Sequence, residues 1–521
     1  MTSRLLHAWF GVLATLVGVA AGHLVAALTE PSASPVLAVG SAVIDLTPTP
    51  LKEWAIAHFG SNDKTVLVGS VLVGVLLLAA VAGLLARRRL AYGAALLVVL
   101  VAIAAAAALS RPTAGPIEVL PSVVAAIAGV GALAWLVTRT TSGAVPAGSA
   151  AADDRHRDTS HGDTSHRGTS RRAVLVASGT LTVAAAAMGG IGRWIGSYLT
   201  RPEDVALPAP DDPAPAFPAG LDDRVPGITP FRTATSDFYR VDTRLTLPAV
   251  GLDGWRLTID GDVDREVGFS FDDLTQMDLI ERDITLTCVS NEVGGHYVGG
   301  ARWLGVSLTD LLDRAGIGHT GADQILSTDV DGMTISTPLE LATDGRDAMI
   351  AIGMNGAALP REHGFPARMV VPGLYGFISA TKWITRMTLT TYAEHDAYWT
   401  QRGWATDAPI KIASRIDTPR PLATIDAGRT LIGGVAWAQH RGGVAKVEVR
   451  IDGGPWQEAR LGPSAGNDYW RQWYLPWSAG SGRHTLTVRA TDGRGEQQTA
   501  VRATPFPDGS SGLQQVVVTV T

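Results

Sequence analysis

The chain has 521 residues, of which 46% are hydrophobic and 18% are charged, and its formal net charge is −6. Residues 1–140 hold 13 of the 92 charged side chains, so an apolar part of the chain precedes a more polar one. This composition excludes a wholly cytosolic globular protein, a disordered chain and a fibrous one. The net negative charge argues against a nucleic-acid partner.

Five apolar segments near the N-terminus are predicted to be transmembrane helices. Crossing the hydrocarbon core takes about 20 helical residues, and backbone groups in lipid must bond within their own segment. The predicted spans are residues 5–28, 65–86, 90–109, 119–137 and 173–192. The segments that lie on the same side of the membrane as the N-terminus carry ten Lys and Arg residues, and the segments on the opposite side carry three. The N-terminus is therefore predicted to be cytoplasmic and the C-terminal two thirds extracytoplasmic, with the protein in the cell membrane.

The first four spans make up a helical region, residues 1–138, in which residues 31–60 are predicted to be a surface or re-entrant piece. Residues 139–172 are polar and of low complexity, which predicts a flexible cytoplasmic linker. Ser170-Arg171-Arg172 then precedes the fifth helix, residues 173–199, and resembles a twin-arginine export signal. A basic flank of a membrane span is an equally good interpretation of these arginines. In either case the helix is expected to remain as an anchor.

The polar part of the chain is predicted to hold two domains behind a Pro-rich spacer, residues 200–227. Residues 228–404 mix strand and helix patterns, which indicates an α+β domain. Residues 405–521 alternate apolar and polar side chains between Gly turns, which indicates an all-β immunoglobulin-like sandwich. Trp470 and Trp473 in this region are either core anchors or interface residues. The fold class is therefore multi-domain: an all-α membrane region, an α+β domain and an all-β domain.

The segments that suggest chemistry lie in residues 285–383. A predicted strand delivers Cys288, the single cysteine, into a loop of Ser, Asn and Gly residues, which gives close backbone approach to the sulfur. Further segments carry cationic and aromatic side chains in a fixed order. They read Ala301-Arg302-Trp303, His363-Gly-Phe-Pro-Ala-Arg368, Val370-Val-Pro-Gly373 and Lys382-Trp383.

In this order and at these spacings, the segments resemble the sulfite oxidase family of molybdopterin enzymes, and the resemblance covers residues 228–521. It implies a Mo-molybdopterin cofactor and a C-terminal dimerisation domain, hence a homodimer. By resemblance, Cys288 is the thiolate ligand of the metal, which suits a soft donor. His363 and Arg368 match the pair that holds the pterin and its phosphate, and Thr381 and Lys382 match the next pterin-binding segment.

Residues 238–242 resemble the family's aromatic-x-R-N-H segment near cofactor and substrate, although Val-Asp replaces Asn-His at its end. The resemblance therefore assigns Tyr239, Arg240 and Asp242 to the cofactor site, with Arg240 also catalytic. Asn291, in the loop after the metal ligand, is assigned to the cofactor as well.

Two further assignments by resemblance leave alternatives open. A pterin-contacting aspartate matches Asp329 or Asp331, of which Asp331 is favoured. Tyr398 matches the region of an active-site tyrosine, with simple packing as the alternative.

Val293 stands where sulfite oxidases have an arginine that binds the oxyanion. Arg302 could supply a second cation beside Arg240, or it could form a structural ion pair. The expected function is oxygen-atom transfer, with reduction of a small or peptide S-oxide or N-oxide and a separate electron carrier, either a cytochrome or the membrane quinone system. The alternatives are a sulfite dehydrogenase and a non-catalytic cell-surface binding protein.

Overall fold

The structure is a computed structural model that describes residues 3–48, 51, 54, 58–59, 63–111, 114–141, 171–199 and 205–521. The chain divides into two compact units. The first comprises Met1–Arg201 with Thr243–Leu247, and the second comprises Pro202–Asp242 with Pro248–Thr521. Most of the predicted linker, together with Ser170 of the twin-arginine-like segment, lies outside the described residues.

The first unit is helical. Its helices are α1 (Ser3–Leu28), α2 (Pro35–Leu46), α3 (Asp63–Ala86), α4 (Leu90–Leu109), α5 (Leu120–Thr141) and α6 (Arg171–Leu199). Helices α1 and α3 approach closely at Gly11 and Gly83, since a Cβ atom on Gly11 would lie 1.9 Å from the Ala79 carbonyl oxygen. Small residues at such a crossing are typical of helix packing in membranes.

Four segments of the described residues are long and apolar enough to cross a membrane: Arg4–Leu28, Lys64–Ala86, Leu90–Leu109 and Pro116–Arg139. They agree with the first four predicted spans. Helix α6 forms where the fifth span is predicted, but it is not among the four segments found in the described residues, so its crossing of a membrane stays a prediction. The five-span prediction is therefore only partly confirmed. The predicted re-entrant piece contains α2, a short apolar helix that packs against α1, α3 and α4.

The first part of the second unit mixes strands with short helices, as an α+β domain does. Its strands are β1 (Arg256–Gly261), β2 (Val267–Ser270), β3 (Leu279–Thr287), β4 (Val298–Ser307), β5 (Gln324–Asp329), β6 (Thr334–Pro338), β7 (Met349–Met354), β8 (Ala357–Ala358), β9 (Arg368–Val370) and β10 (Ile384–Thr390). Its helices are α7 (Phe271–Thr275), α8 (Leu308–Ala315) and α9 (Leu339–Ala342). One sheet has the strand order β2-β1-β10-β5-β6 and the other β3-β4-β7-β8, with β9 paired to β7. Helix α8 begins directly after β4, which ends at Ser307.

The last part of the chain is β-rich. Its strands are β11 (Ala413–Thr418), β12 (Thr424–Ile425), β13 (Gly428–Trp437), β14 (Val444–Ile451), β15 (Trp456–Glu458), β16 (Arg460–Leu461), β17 (Arg471–Ala479), β18 (Gly482–Asp492) and β19 (Gln514–Val520). They form two sheets, β11-β13-β17-β16 and β12-β19-β18-β14-β15, which share one hydrophobic core. The immunoglobulin-like topology stays a prediction.

Trp470 and Trp473 are both core residues, with exposed fractions of 1% and 0%. Trp470 packs in the core of the α+β part and Trp473 in the core of the two C-terminal sheets. They therefore give no support to an interface, and the homodimer stays a prediction.

The described part of the predicted spacer, from residue 205 onward, belongs to the second unit and packs within it. The Asp211 carboxylate accepts a hydrogen bond from the Leu279 backbone N–H at 2.8 Å, and the Leu221 N–H donates to Gln472 Oε1 at 2.6 Å. Val225 is fully buried. These hydrogen bonds to residues of β3 and β17 explain why this Pro-rich segment does not stand free.

Candidate active site

Cys288 lies at the start of the loop that joins β3 to β4. Its N–H donates to the Tyr297 carbonyl oxygen at 2.9 Å, and its own carbonyl oxygen accepts from the Asn291 N–H at 3.0 Å. Asn291 Oδ1 accepts from the Tyr297 N–H at 2.9 Å, so this side chain closes the loop. We call residues 288–297 the Cys288 loop. These contacts give Asn291 a structural role, and its predicted contact with a cofactor stays a prediction.

The Cys288 thiol is buried, and burial raises its pKa. The backbone N–H and the hydroxyl of Ser290, both hydrogen-bonded to the sulfur, act in the opposite direction, as does the positive charge of Lys382. Without a metal the thiol is therefore neutral at pH 7. Coordination to a metal ion deprotonates a thiol outright, which makes the sulfur a strong donor.

The predicted cationic residues come together on two neighbouring backbone segments. Arg368, at the start of β9, forms a β-bridge with Lys382, which precedes β10. Gly364 has a φ of +112°, and a Cβ there would lie 3.1 Å from the Lys382 Cα atom. A side chain at position 364 would therefore push His363 and the Lys382 segment apart.

Arg368 has an exposed fraction of 5%. Its guanidinium donates to the carbonyl oxygens of His363 and Ala380 at 3.1 and 3.4 Å, and Nε has no hydrogen-bond partner. The guanidinium carbon lies 5.1 Å from the centre of the Trp303 ring. Burial lowers the pKa of Arg368 to about 10. A buried cation bonded to carbonyl oxygens is suited to receive an anion.

Lys382 is buried beside Asp242. Its Nζ atom donates to Asp242 Oδ2 at 2.7 Å and to the Glu362 carbonyl oxygen at 3.3 Å. Burial lowers the pKa of Lys382 to about 8, against the effect of Asp242, which raises it. Asp242 also binds Arg240, through Nε at 2.7 Å and Nη2 at 3.2 Å. The Arg240 side chain is 33% exposed, so it is the outermost cation of the group.

His363 is buried against the Phe238 ring, and its Nε2 lies 3.0 Å from the Thr235 carbonyl oxygen. Because a carbonyl oxygen can only accept, we assign the hydrogen to Nε2, which leaves Nδ1 as an acceptor. Burial lowers the pKa of His363 to about 4, and the nearby charges of Arg368 and Lys382 act in the same direction. The imidazole is therefore neutral at pH 7.

Two tyrosines are electrostatically coupled to Cys288. Tyr239 stacks on Phe238 with ring centres 5.2 Å apart, and burial followed by Cys288 raises its pKa. Burial also raises the pKa of Tyr375, with Asp508 and Cys288 as smaller contributions. Sequence reasoning missed Tyr375, although it comes two residues after the Val370-Val-Pro-Gly373 segment. Both phenols therefore keep their protons at pH 7.

Two further predicted residues, Thr381 and Tyr398, contact side chains outside this group. The Thr381 hydroxyl bonds the Ser327 hydroxyl at 2.6 Å. Tyr398 packs against Trp399 and Arg402, and its N–H bonds Thr334 Oγ1. The role predicted for each stays a prediction.

Asp329 and Asp331 lie in the turn between β5 and β6. Asp329 Oδ1 accepts from the N–H groups of Asp331 and Met333 at 2.9 and 3.0 Å, so this carboxylate stabilises the turn. The turn adjoins the Lys382 segment, because the Val330 N–H donates to the Trp383 carbonyl oxygen. This position is compatible with the role predicted for Asp331 and does not test it.

Arg302 forms structural ion pairs. In the register of β3 and β4 it stands directly opposite Asp283, and its Nε and Nη2 bind that carboxylate at 2.9 and 2.6 Å. Glu281 lies 3.3 Å from Nη1, and the Pro215 carbonyl oxygen accepts from Nη2. Of the two interpretations of Arg302, the ion pair is the one found.

Comparison with known proteins agrees with this geometry. Residues 244–399 match the family described as oxidoreductase molybdopterin binding domain. Mitochondrial sulfite oxidase of Homo sapiens is 32% identical over 295 residues, which cover 48% of this chain and 54% of that protein. Sulfite oxidase of Gallus gallus is 28% identical over 270 residues, which cover 43% and 58%. The chain spans about half the length of these curated relatives.

Residues 244–399 form an oxidoreductase molybdopterin binding domain, and the chain is similar to sulfite oxidases over about half of its length.

The crystal structure of the sulfane dehydrogenase SoxCD from Paracoccus pantotrophus matches with a TM-score of 0.50. The match has 24% identity and covers 56% of this chain and 84% of that one. At this identity the likeness concerns the fold alone.

The cofactor that this domain binds is Mo-molybdopterin, and the residues present fit it. Cys288 offers a soft sulfur donor, and Arg368 and Lys382 offer buried cations to an anionic pterin. Arg368 Nε and the Thr287 hydroxyl are buried without hydrogen-bond partners, so each can bond a bound group. When bound, the cofactor supplies a metal that cycles by two electrons as an oxygen atom is transferred.

Proposed function

We propose that this protein is a membrane-anchored, extracytoplasmic enzyme that oxidises a sulfur compound, with sulfite as the first candidate. The observation that carries the proposal is the buried Cys288 thiol, which lies near the positive charge of Lys382, while the buried Arg368 is bridged to Lys382. The similarity to two sulfite oxidases supports oxidation better than the S-oxide or N-oxide reduction expected from the sequence.

In this proposal each residue acts through a stated atom. Cys288 Sγ is the protein ligand of the metal. The Arg368 guanidinium and Lys382 Nζ bind the anionic part of the cofactor, and neutral His363 offers Nδ1 as an acceptor. The hydroxyl groups of Tyr239 and Tyr375 keep their protons and can donate to a bound group.

Arg240 is the proposed substrate-binding cation. Its side chain is 33% exposed, whereas those of Asp242 and Lys382 are 5% and 10% exposed. An anionic substrate arriving from solvent would therefore meet Arg240 before Lys382. A guanidinium suits an oxyanion because it donates two parallel hydrogen bonds.

Two observations support a membrane anchor with the catalytic unit outside the cytoplasm. They are the four apolar segments and the excess of Lys and Arg in the segments on the same side of the membrane as the N-terminus. The two electrons released by each oxidation need an acceptor. We propose a separate carrier, either a cytochrome or the membrane quinone system.

A second candidate function is reduction of a neutral S-oxide or N-oxide. Two features favour it. Val293 is half-buried and apolar, and by resemblance it stands where sulfite oxidases carry an arginine. The Asp242 carboxylate offsets the positive charge of Arg240. A neutral substrate needs no converging cations, whereas a desolvated dianion does.

One experiment on the purified full chain separates these proposals. Molybdenum content near one atom per chain would exclude a non-catalytic binding protein. Sulfite oxidation is measured with ferricyanide as acceptor, and reduction of a methyl sulfoxide with a reduced viologen as donor. We expect sulfite turnover to be the larger activity. Sulfoxide turnover without sulfite turnover would overturn the main proposal in favour of the second, and absence of molybdenum would overturn both.

A further inference from the structure

The Cys288 loop is held on one side by residues from the β-rich C-terminal region. Arg415 Nη1 donates to the Gly295 carbonyl oxygen at 2.7 Å, and the Ser510 hydroxyl donates to the Asn291 carbonyl oxygen at 2.6 Å. Gln514 packs against Gly294, where φ is +84° and a Cβ would lie 2.6 Å from Gln514 Nε2. The loop therefore depends on side chains more than 100 residues further along the chain.

Arg415 is itself held rigidly. Its Nε donates to Asp417 Oδ1 at 2.6 Å, and its Nη2 donates to Thr229 Oγ1 at 2.7 Å. Asp417 Oδ2 accepts from the Thr229 N–H at 3.0 Å, so the three residues form a closed network. The Arg415 and Asp417 side chains are 4% and 6% exposed. A buried guanidinium bonded along several edges can fix a backbone carbonyl because it has little freedom to move.

The bond to Gly295 reaches Cys288 through a short series of contacts. The Gly295 N–H donates to the Glu292 carbonyl oxygen at 2.8 Å, which closes the turn next to Asn291. Asn291 in turn bonds the Cys288 carbonyl oxygen and the Tyr297 N–H. Releasing Gly295 would therefore loosen the turn that sets the position of the sulfur.

We propose that Arg415 is a positioning residue for the metal ligand: it holds the Cys288 loop so that Sγ is kept in place for coordination. The inference rests on the proposed role of Cys288. It adds a role in the catalytic centre to a region to which the family resemblance assigns dimerisation.

The test uses the full chain, in which any thiol-reactive probe reports on Cys288 because it is the single cysteine. The double variant Arg415→Met with Asp417→Asn removes the network without leaving a buried charge unpaired. A matched control, Arg489→Met with Glu448→Gln, removes another ion pair of the same region, where Nε and Oε2 are 2.9 Å apart. Maleimide labelling of cofactor-free protein and molybdenum content after cofactor loading are both measured.

Because the Arg415 variant lacks a charge-assisted hydrogen bond to the loop, we expect maleimide to label Cys288 about tenfold faster than in the wild type. We expect the molybdenum content to be at least halved. The control is expected to match the wild type in both. Wild-type labelling and molybdenum content in a folded Arg415 variant would overturn the proposal. If the double variant does not fold, Arg415→Lys keeps a partner for Asp417 and is judged by the same two measurements.

The labelling rate also separates this inference from the proposed function. If Cys288→Ser retains molybdenum, the ligand role is wrong, and with it the proposal for Arg415. Faster labelling of Cys288 in the Arg415 variant would then report only that the Cys288 loop is more mobile. If Cys288→Ser loses molybdenum but the Arg415 variant behaves as wild type, the positioning role alone is wrong.

Discussion

Asp242 and Lys382 form a buried ion pair in which Oδ2 and Nζ are 2.7 Å apart. The same carboxylate also binds Arg240, so one anion offsets two cations beside the proposed cofactor site. By the sequence resemblance, Asp242 stands where the family's aromatic-x-R-N-H segment ends in histidine. Together with Val293, this substitution lowers the positive charge that an anionic substrate would meet.

The first prediction concerns Asp242. Asp242→Asn keeps the shape of the side chain but removes its negative charge, so Arg240 regains its full attraction for an anion. We expect the dissociation constant for sulfate, measured as a competitive inhibitor or by calorimetry, to fall about tenfold. Asp260→Asn, which removes a carboxylate paired with Arg386, serves as the control and should leave sulfate binding unchanged. Equal sulfate affinity in the Asp242 variant and the wild type would contradict the electrostatic role.

Val293→Arg tests the other departure from the family. The new guanidinium would stand where sulfite oxidases have theirs, and we expect the KM for sulfite to fall about tenfold while the KM for a methyl sulfoxide does not fall. Val293→Met, of similar bulk and without charge, is the control. If both variants change sulfite kinetics equally, the effect is one of size and the charge argument fails.

Cys288→Ser replaces a soft donor by a hard one in a buried position. We expect molybdenum content and turnover to fall by at least about a hundredfold, more than loss of an outer-shell partner of a metal site costs. The midpoint of thermal unfolding of the cofactor-free protein should stay near that of the wild type, because the two side chains differ by one atom. Turnover at the wild-type rate would remove Cys288 from the metal site.

His363 predicts an acid-sensitive contribution to stability. The pKa of His363 is about 4 in the folded protein and near 6.5 in the unfolded chain. Between pH 4 and pH 6.5 the unfolded chain therefore binds a proton at this histidine that the folded protein does not bind. Stability from this group is complete above pH 6.5 and is lost as the pH falls through 4, by up to about 3 kcal/mol. His363→Gln keeps a donor for the Thr235 carbonyl oxygen and should flatten this part of the profile.

The measurement for His363 is the unfolding midpoint of the cofactor-free protein between pH 4 and pH 7. His319→Gln, at an exposed histidine, is the control and should keep the wild-type slope. A His363 variant that is as acid-sensitive as the wild type would show that other groups cause the slope.

Arg302→Met tests the ion pair with Asp283. The Asp283 side chain is 4% exposed and would be left as a buried charge, so we expect unfolding free energy to fall by about 3 kcal/mol. The KM for sulfite should not change, since Arg302 is bound by structural carboxylates. Calorimetry and steady-state kinetics measure the two effects. A large rise in KM with unchanged stability would return Arg302 to the substrate site.

The sequence alone determined the features that local pattern encodes. Uninterrupted apolar runs of about 20 residues define the four candidate spans, because a helix of that length matches the hydrocarbon core. Period-two alternation located β14 and β18, where Val447, Val449, Leu486 and Val488 are fully buried. The ordered segments around Cys288, His363 and Lys382 were sufficient to indicate the molybdopterin-binding domain.

Only the tertiary structure decided which charges meet. Arg302 binds Asp283 because β3 and β4 pair in one register. The two residues are 19 positions apart, and the local sequence around either of them does not specify that register. Tyr375 reaches the surroundings of Cys288, and Arg415 reaches Gly295 across 120 positions, because two sheets and a β-rich region pack together. Such long-range contacts depend on how whole elements bury their apolar faces, so local residue types did not reveal them.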